Sequence, residues 1–97
     1  MSSIGMTLWI LDEYGLHARP AMQIVEKAQQ FSCDIRLSCN GKDASAKSIM
    51  ETMRLGAGRG TKLLMEAEGE DSQDAINHLF LFGKQIKIWT QEPIQNV

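Results

Sequence analysis

The sequence is poor in the residues that usually announce a chemistry. Its two cysteines, Cys33 and Cys39, are too few for a disulfide scaffold and lack the Cys-x-x-Cys spacing of a redox or zinc site. With only two histidines and no clustered ligands, neither a metal site nor a cofactor is expected. There is no Gly-x-Ser-x-Gly motif and no paired-carboxylate arrangement of the hydrolytic kind. Basic charge is not in excess: ten Lys and Arg against twelve Asp and Glu give a net −2, which argues against a general nucleic-acid binder. No apolar run approaches the roughly 18–20 residues that span a bilayer, so no membrane insertion is expected. Met1–Leu11 contains no Lys or Arg and leads into Asp12-Glu13, unlike the positive start of a secretory signal, so a cytoplasmic place is expected. No repeat or linker interrupts the 97 residues, which suit one globular domain with one core.

What is there is strong periodicity. Met6–Leu11 reads as a strand and Asp12–Gly15 as a polar turn. From Ala18 the period becomes helical, with Ala21, Ile24, Val25, Ala28 and Phe31 on one side. Pro20 is tolerated only in a first helical turn, so this helix starts near His17 or Ala18. Cys33, Ile35, Leu37 and Cys39 then alternate with polar residues as a half-buried strand. Asn40-Gly41 is a hairpin turn signal, leading to a short polar return strand near Lys42–Ala46. Six residues apart on one strand, Cys33 and Cys39 are separated by about 20 Å and cannot form a disulfide.

Ser48-Ile49-Met50-Glu51 matches a capping box opening a helix over Ile49–Leu55, with Gly56 just past its end. Thr61–Glu68 alternates as a third well-marked strand, and Asp71–Asp74 opens a last helix with inward Ala75, Ile76, Leu79, Phe80 and Ile86. Leu81 falls on the outer side of that helix. Lys87–Val97 has no period, contains Pro93 and reads as a tail, from which Trp89 or Ile94 could fold back over Leu81. The order β-α-β-β-α-β-α, with a hairpin and helices of one apolar stripe, predicts a two-layer α+β domain.

The densest candidate site is Gly15-Leu16-His17-Ala18-Arg19-Pro20. It sets an imidazole at the mouth of a helix, where unpaired N–H groups and the helix dipole favour an anion. Arg19 adds a guanidinium able to hold phosphate oxygens in bidentate fashion. Near neutral pH an imidazole offers an unprotonated nitrogen as a nucleophile. A nucleophile inside an anion cradle suits phosphoryl transfer, which depends on positioning and charge neutralisation. On spacing alone, plain helix capping by His17 stands beside this reading. Ser48 likewise reads as a helix cap and, alternatively, as a phosphorylation site. Ile49, Met50 and Met53 form an apolar stripe that by itself reads as core, although Thr52 and Leu55 lie on another side of the same short helix. Gly56–Gly60 runs from helix to strand, the wrong direction for a phosphate-binding glycine loop, and lacks its Lys-Ser/Thr ending.

Gly15–Ala21 resembles the active-site motif of HPr, the histidine-containing phosphocarrier of the bacterial phosphoenolpyruvate:sugar phosphotransferase system. Asn40-Gly41-Lys42, Ala46–Met50, Leu55-Gly56 and Ala67–Asp71 match the family at the right separations, so that the resemblance covers about residues 6–87 of a single domain and leaves 88–97 as tail. The resemblance implies an open-faced β-sandwich: a four-stranded antiparallel sheet in the order 1-4-2-3 with three helices on one face. It implies that His17 takes a phosphoryl group on Nδ1 from phosphorylated enzyme I and passes it to the EIIA domains of sugar permeases, without turnover of its own. Arg19 would stabilise that group, Gly15 would permit the tight entry into the helix, and the amides of Ala18 and Arg19 would face the phosphate. Ser48 aligns with the serine that HPr kinase/phosphorylase modifies in many bacteria. Met22, Gln23, Ile49, Met50 and Met53 would form the partner-binding patch, in place of the core assignment. A monomer is implied. A mainly regulatory protein of carbon catabolite or nitrogen-related control is the alternative, although purely regulatory paralogues of the family lack the histidine. The chain departs from the family at Tyr14, where a small polar residue is common, and at Glu26 and Glu51, which bring acidic charge to the partner face.

Overall fold

The computed structural model describes residues 3–94. Strand β1 (Ser3–Ile10) leads into helix α1 (Ala18–Ala28), the hairpin β2 (Asp34–Cys39) and β3 (Lys42–Ser45), and helix α2 (Ile49–Arg54). Strand β4 (Lys62–Glu68), helix α3 (Ser72–Gln85) and a two-residue strand β5 (Trp89–Thr90) complete the chain. The sheet runs β3-β2-β4-β1-β5, and every neighbouring pair is antiparallel. It contains the expected order 1-4-2-3, with a fifth strand added at the β1 edge.

The period-two pattern decides which face of the sheet is covered. Leu8 and Ile10 of β1, Ile35 and Leu37 of β2, and Leu63, Met65 and Ala67 of β4 are all buried. Their neighbours Arg36 and Leu64 lie exposed on the open face. Helix α1 meets the core through Ala21, Ile24 and Ala28, and α3 through Ala75, Ile76 and Leu79. Phe80 and Ile86 are only half-buried. β1 begins earlier than its apolar run, because Ser3, Ile4 and Gly5 still pair with Glu68, Ala67 and Glu66. The hairpin turns at Asn40 and Gly41 with φ of 53° and 74°, the positive values of a type I′ turn. Cys33 and Cys39 are both free and buried, and burial pushes the Cys33 thiol up to about 11.

The end of the chain corrects the expectation of a tail from Lys87. Lys87 takes φ 62° and reverses the chain after α3. Ile88 N–H bonds the Gly83 carbonyl at 2.8 Å, and Trp89 and Thr90 pair with Ile10 and Trp9. Trp89 is fully buried, and its indole N–H donates to the Phe80 carbonyl at 3.1 Å. The indole lies where a side chain on Gly83 would be: a Cβ there would fall 2.7 Å from Trp89 Cζ2 and closer still to Nε1 and Cε2. Trp89 therefore does fold back, but against Gly83, and Leu81 stays 59% exposed. Two paired residues are too short to leave a period, which is why the segment is silent in sequence.

Asp71 ties the start of α3 to the start of β2. Its carboxylate accepts from Ser32 N–H at 2.8 Å, Ser32 Oγ–H at 3.2 Å and Cys33 N–H at 2.9 Å. These donors, the Ser32 amide foremost, hold the Asp71 carboxyl down to about 2 from its ordinary 3.8.

Gly83→Ala should cost about 1–3 kcal/mol of stability in urea unfolding, since the added methyl collides with the indole of Trp89. Because the Asp71 pKa is lower folded than unfolded, its stabilisation is complete above about pH 4 and is lost as pH falls towards 2. The stability gap between wild type and Asp71→Ala, followed by thermal unfolding, should therefore close across that window.

Candidate functional site

The site is built on the turn between β1 and α1. Asp12 starts it: its carbonyl accepts from Gly15 N–H at 3.0 Å, and its carboxylate Oδ1 accepts from Tyr14 N–H at 2.8 Å. Gly15 then adopts φ +73° and passes hard against the loop that follows α2. A Cβ at Gly15 would stand 2.8 Å from Gly58 Cα and nearer still to the Ala57 carbonyl oxygen, so no side chain fits. Leu16 N–H bonds that same Ala57 carbonyl at 2.8 Å, and the Leu16 side chain is buried. The chain is thereby aimed so that the next residue, His17, opens the helix.

His17 is the N-cap of α1, with extended backbone (φ −87°, ψ −172°). Its carbonyl accepts from Ala21 N–H at 2.9 Å, but its side chain caps nothing. Plain capping is thus not the use made of the imidazole. Among the described residues, the N–H groups of Ala18 and Arg19 have no hydrogen-bond partner, and the first turn holds no acidic residue. Pro20 lacks an N–H and is buried. Two free donors and the positive end of an eleven-residue helix therefore face outwards beside the ring. Arg19 is exposed and forms no ion pair among the described residues, so its guanidinium is available to an incoming anion. The imidazole side chain is 41% exposed, with Nε2 lying 3.4 Å from Asp12 Oδ1. The Tyr14 ring, 76% exposed, stands edge-on to it at 5.9 Å between centroids.

Helix α2 is divided between two jobs. Thr52 and Leu55 point inwards, and Thr52 Oγ1–H donates to the Ser45 carbonyl at 3.1 Å. Ile49, Met50 and Met53 are left exposed, and Met22 and Gln23 lie exposed on α1, the helix against which α2 packs. The expected capping box is half made. Ser48 Oγ accepts from Glu51 N–H at 3.2 Å, but the Glu51 carboxylate turns to Ser45 N–H at 3.0 Å and leaves Ser48 N–H to the Ser45 carbonyl at 3.1 Å. The reciprocal arm is diverted because the Ser45 amide, at the end of β3, lies within reach. Gly56 ends the helix at φ +63°, as its position in sequence suggested.

The structure thus brings Gly15, His17, Ala18 and Arg19 together at one helix mouth and leaves Ser48 on the neighbouring helix. A surface cleft away from this site is lined by Lys42, Asp43, Glu51, Arg54 and Leu55. Asp12 is the site neighbour that sequence reasoning passed over as part of a polar turn. Nothing in its spacing marks it, because its approach to His17 depends on the left-handed turn at Gly15.

The protein-family profile described as the PTS HPr component phosphorylation site matches residues 6–84. A phosphocarrier protein HPr from Bacillus anthracis str. Ames is 34% identical, with a TM-score of 0.77 over 81% of this chain and 94% of that one. The histidine-containing phosphocarrier protein of a Mycoplasma is 32% identical, with a TM-score of 0.86 over 88% of this chain and 97% of the other. Crh, a Bacillus subtilis catabolite-repression protein solved as a domain-swapped dimer, is 39% identical, with a TM-score of 0.68 over 76% and 85% of the two chains. An open sheet under three helices, with a solvent-facing histidine at a helix mouth, defines a small phosphocarrier or regulator of that type. The chain belongs to the HPr family of the phosphotransferase system. No helix among its described residues is long and apolar enough to cross a membrane.

Proposed function

We propose that this protein carries a phosphoryl group on His17, taking it from phosphorylated enzyme I and delivering it to EIIA domains of sugar permeases. The observation that carries the proposal is the exposed His17 ring at a helix mouth whose Ala18 and Arg19 N–H groups are unspent. In the transfer, the Nδ1 lone pair of His17 forms the bond to phosphorus. The bond between phosphorus and the donor's leaving atom breaks, its electron pair staying with that atom. The three phosphoryl oxygens pass across unchanged and meet the two helix N–H groups and the Arg19 guanidinium. Delivery is the same step reversed on a second acceptor, so the protein is a relay with no turnover of its own.

An exposed site suits this exchange, since both donor and acceptor are proteins that must reach the ring. Met22, Gln23, Ile49, Met50 and Met53 are the surface offered to them: flexible, polarizable methionines adapt to more than one partner. The chain acts as one HPr domain, as a monomer, in the cytoplasm.

A regulatory reading is favoured by the position of Ser48. It opens the helix that presents Ile49, Met50 and Met53, and a phosphate there adds about −1.5 to −2 charges beside that apolar surface. The Glu51 carboxylate, engaged with Ser45 N–H, is already committed elsewhere.

Incubated with phosphoenolpyruvate and enzyme I, the wild type should gain one acid-labile phosphoryl group and His17→Ala none; a wild type that stays unlabelled by competent enzyme I would end the carrier reading. Arg19→Ala should take up phosphate on the order of tenfold more slowly, with its fold intact by circular dichroism. Incubation with ATP and HPr kinase/phosphorylase should label the wild type and not Ser48→Ala. Label persisting in Ser48→Ala would move the regulatory site elsewhere.

A further inference from the structure

One carboxylate oxygen serves two clients in this site. Asp12 Oδ1 accepts from Tyr14 N–H at 2.8 Å and lies 3.4 Å from His17 Nε2. It approaches the ring on the nitrogen opposite the one proposed to carry phosphate. A carboxylate facing a bare imidazole lone pair at that distance is repulsive, whereas facing an N–H it is attractive. The Asp12 carboxylate therefore favours the tautomer with its proton on Nε2, which leaves the lone pair on Nδ1. When Nδ1 bonds to phosphorus, the ring gains positive charge, the proton stays on Nε2, and Asp12 faces the charge that has appeared.

Asp12 is itself held from behind. The Ile88 carbonyl accepts from Leu11 N–H at 2.7 Å and from Asp12 N–H at 3.3 Å. Ile88 is buried, and it is anchored by the Trp89 indole on Gly83 and by the pairing of Trp89 and Thr90 with β1. Ile88, Trp89 and Thr90 lie beyond 6–84, the stretch that the HPr family profile matches. The segment after α3 thus braces the turn from which Asp12 reaches the imidazole.

We propose that Asp12 is a positioning residue that fixes the His17 ring as the Nε2–H tautomer with Nδ1 free, and that the Ile88 carbonyl at the start of the C-terminal strand holds Asp12 in place. This rests on the reading of His17 as the phosphoryl carrier. The test uses the full chain and its Asp12→Asn variant, whose amide oxygen can still accept from Tyr14 N–H while the charge is gone. Nitrogen-15 NMR of the two histidines reads the tautomer directly, with His78, whose Nδ1 lies 3.0 Å from the Asp74 carbonyl, as internal control. In the wild type His17 should be chiefly Nε2–H. In Asp12→Asn that fraction should fall, with His78 unchanged, and phosphoryl uptake from enzyme I should slow about tenfold. The amides of Leu11 and Asp12 should exchange slowly with deuterium.

An unchanged tautomer ratio in Asp12→Asn overturns the proposal, even if uptake slows, because a structural role alone would give that pattern. Rapid exchange at both Leu11 and Asp12 overturns the brace. If enzyme I fails to label the wild type, the carrier reading falls, and the tautomer comparison still decides what Asp12 does to the ring.

Discussion

The contact between Gly15 and the loop after α2 is the constraint on which the site depends. Backbone meets backbone there at a distance that excludes any Cβ, and the Leu16 amide closes the contact on the Ala57 carbonyl. The contact links the end of β1 to the segment running from α2 into β4. It is what lets α1 begin at residue 18 with its first amides facing solvent. A side chain at position 15 would push the turn outwards, moving the histidine ring away from those amides. The positive φ that only glycine adopts cheaply and the close approach that only glycine allows are thus one requirement.

Around that contact, interior and surface are divided in a way that serves exchange between proteins. The core is filled mainly by the alternating residues of β1, β2 and β4 and the stripes of α1 and α3, with Ala44 of β3 and Trp89 of β5 adding to it from the two edge strands. Short helix α2 spends only Thr52, with its C-cap Leu55, on the interior and shows its apolar residues Ile49, Met50 and Met53 to solvent. A helix of six residues contributes little stability by itself, so its inward side must be well anchored. The Thr52 hydroxyl on the Ser45 carbonyl and the Glu51 carboxylate on the Ser45 amide do that, with polar bonds in place of bulk.

Much of this was legible in the residues. Alternation at Ile35 and Leu37 and at Leu63 and Met65 locates two strands, Asn40-Gly41 closes the hairpin, and Pro20 marks the first turn of α1. The family motif singled out His17 and Arg19. Two features were not legible, each for its own reason, and a third was legible only through the family resemblance. Trp89 and Thr90 form a strand too short to show a period, and the Trp89 indole takes the space that Gly83 leaves by having no side chain. The Glu51 side chain matched a local motif and followed a nearer partner at the end of β3. Periodicity by itself reads Ile49, Met50 and Met53 as core, because hydrophobicity does not say whether a neighbour covers them; the family resemblance put them on the surface, where they lie.

By itself the sequence determined the elements and the chemistry they could carry. Periodicity, turn residues and the Gly-Leu-His-Ala-Arg-Pro run act over a few positions, and local backbone preference is enough to express them. Tertiary structure alone decided which groups meet. Ile88 stands behind Asp12 because β5 pairs with β1 across most of the chain, whereas Asp12 meets Nε2 of His17 and Trp89 lies on Gly83 through turns that reverse the chain, at Gly15 and at Lys87. Such contacts depend on how buried faces fit once the elements pack, and no local pattern encodes that fit.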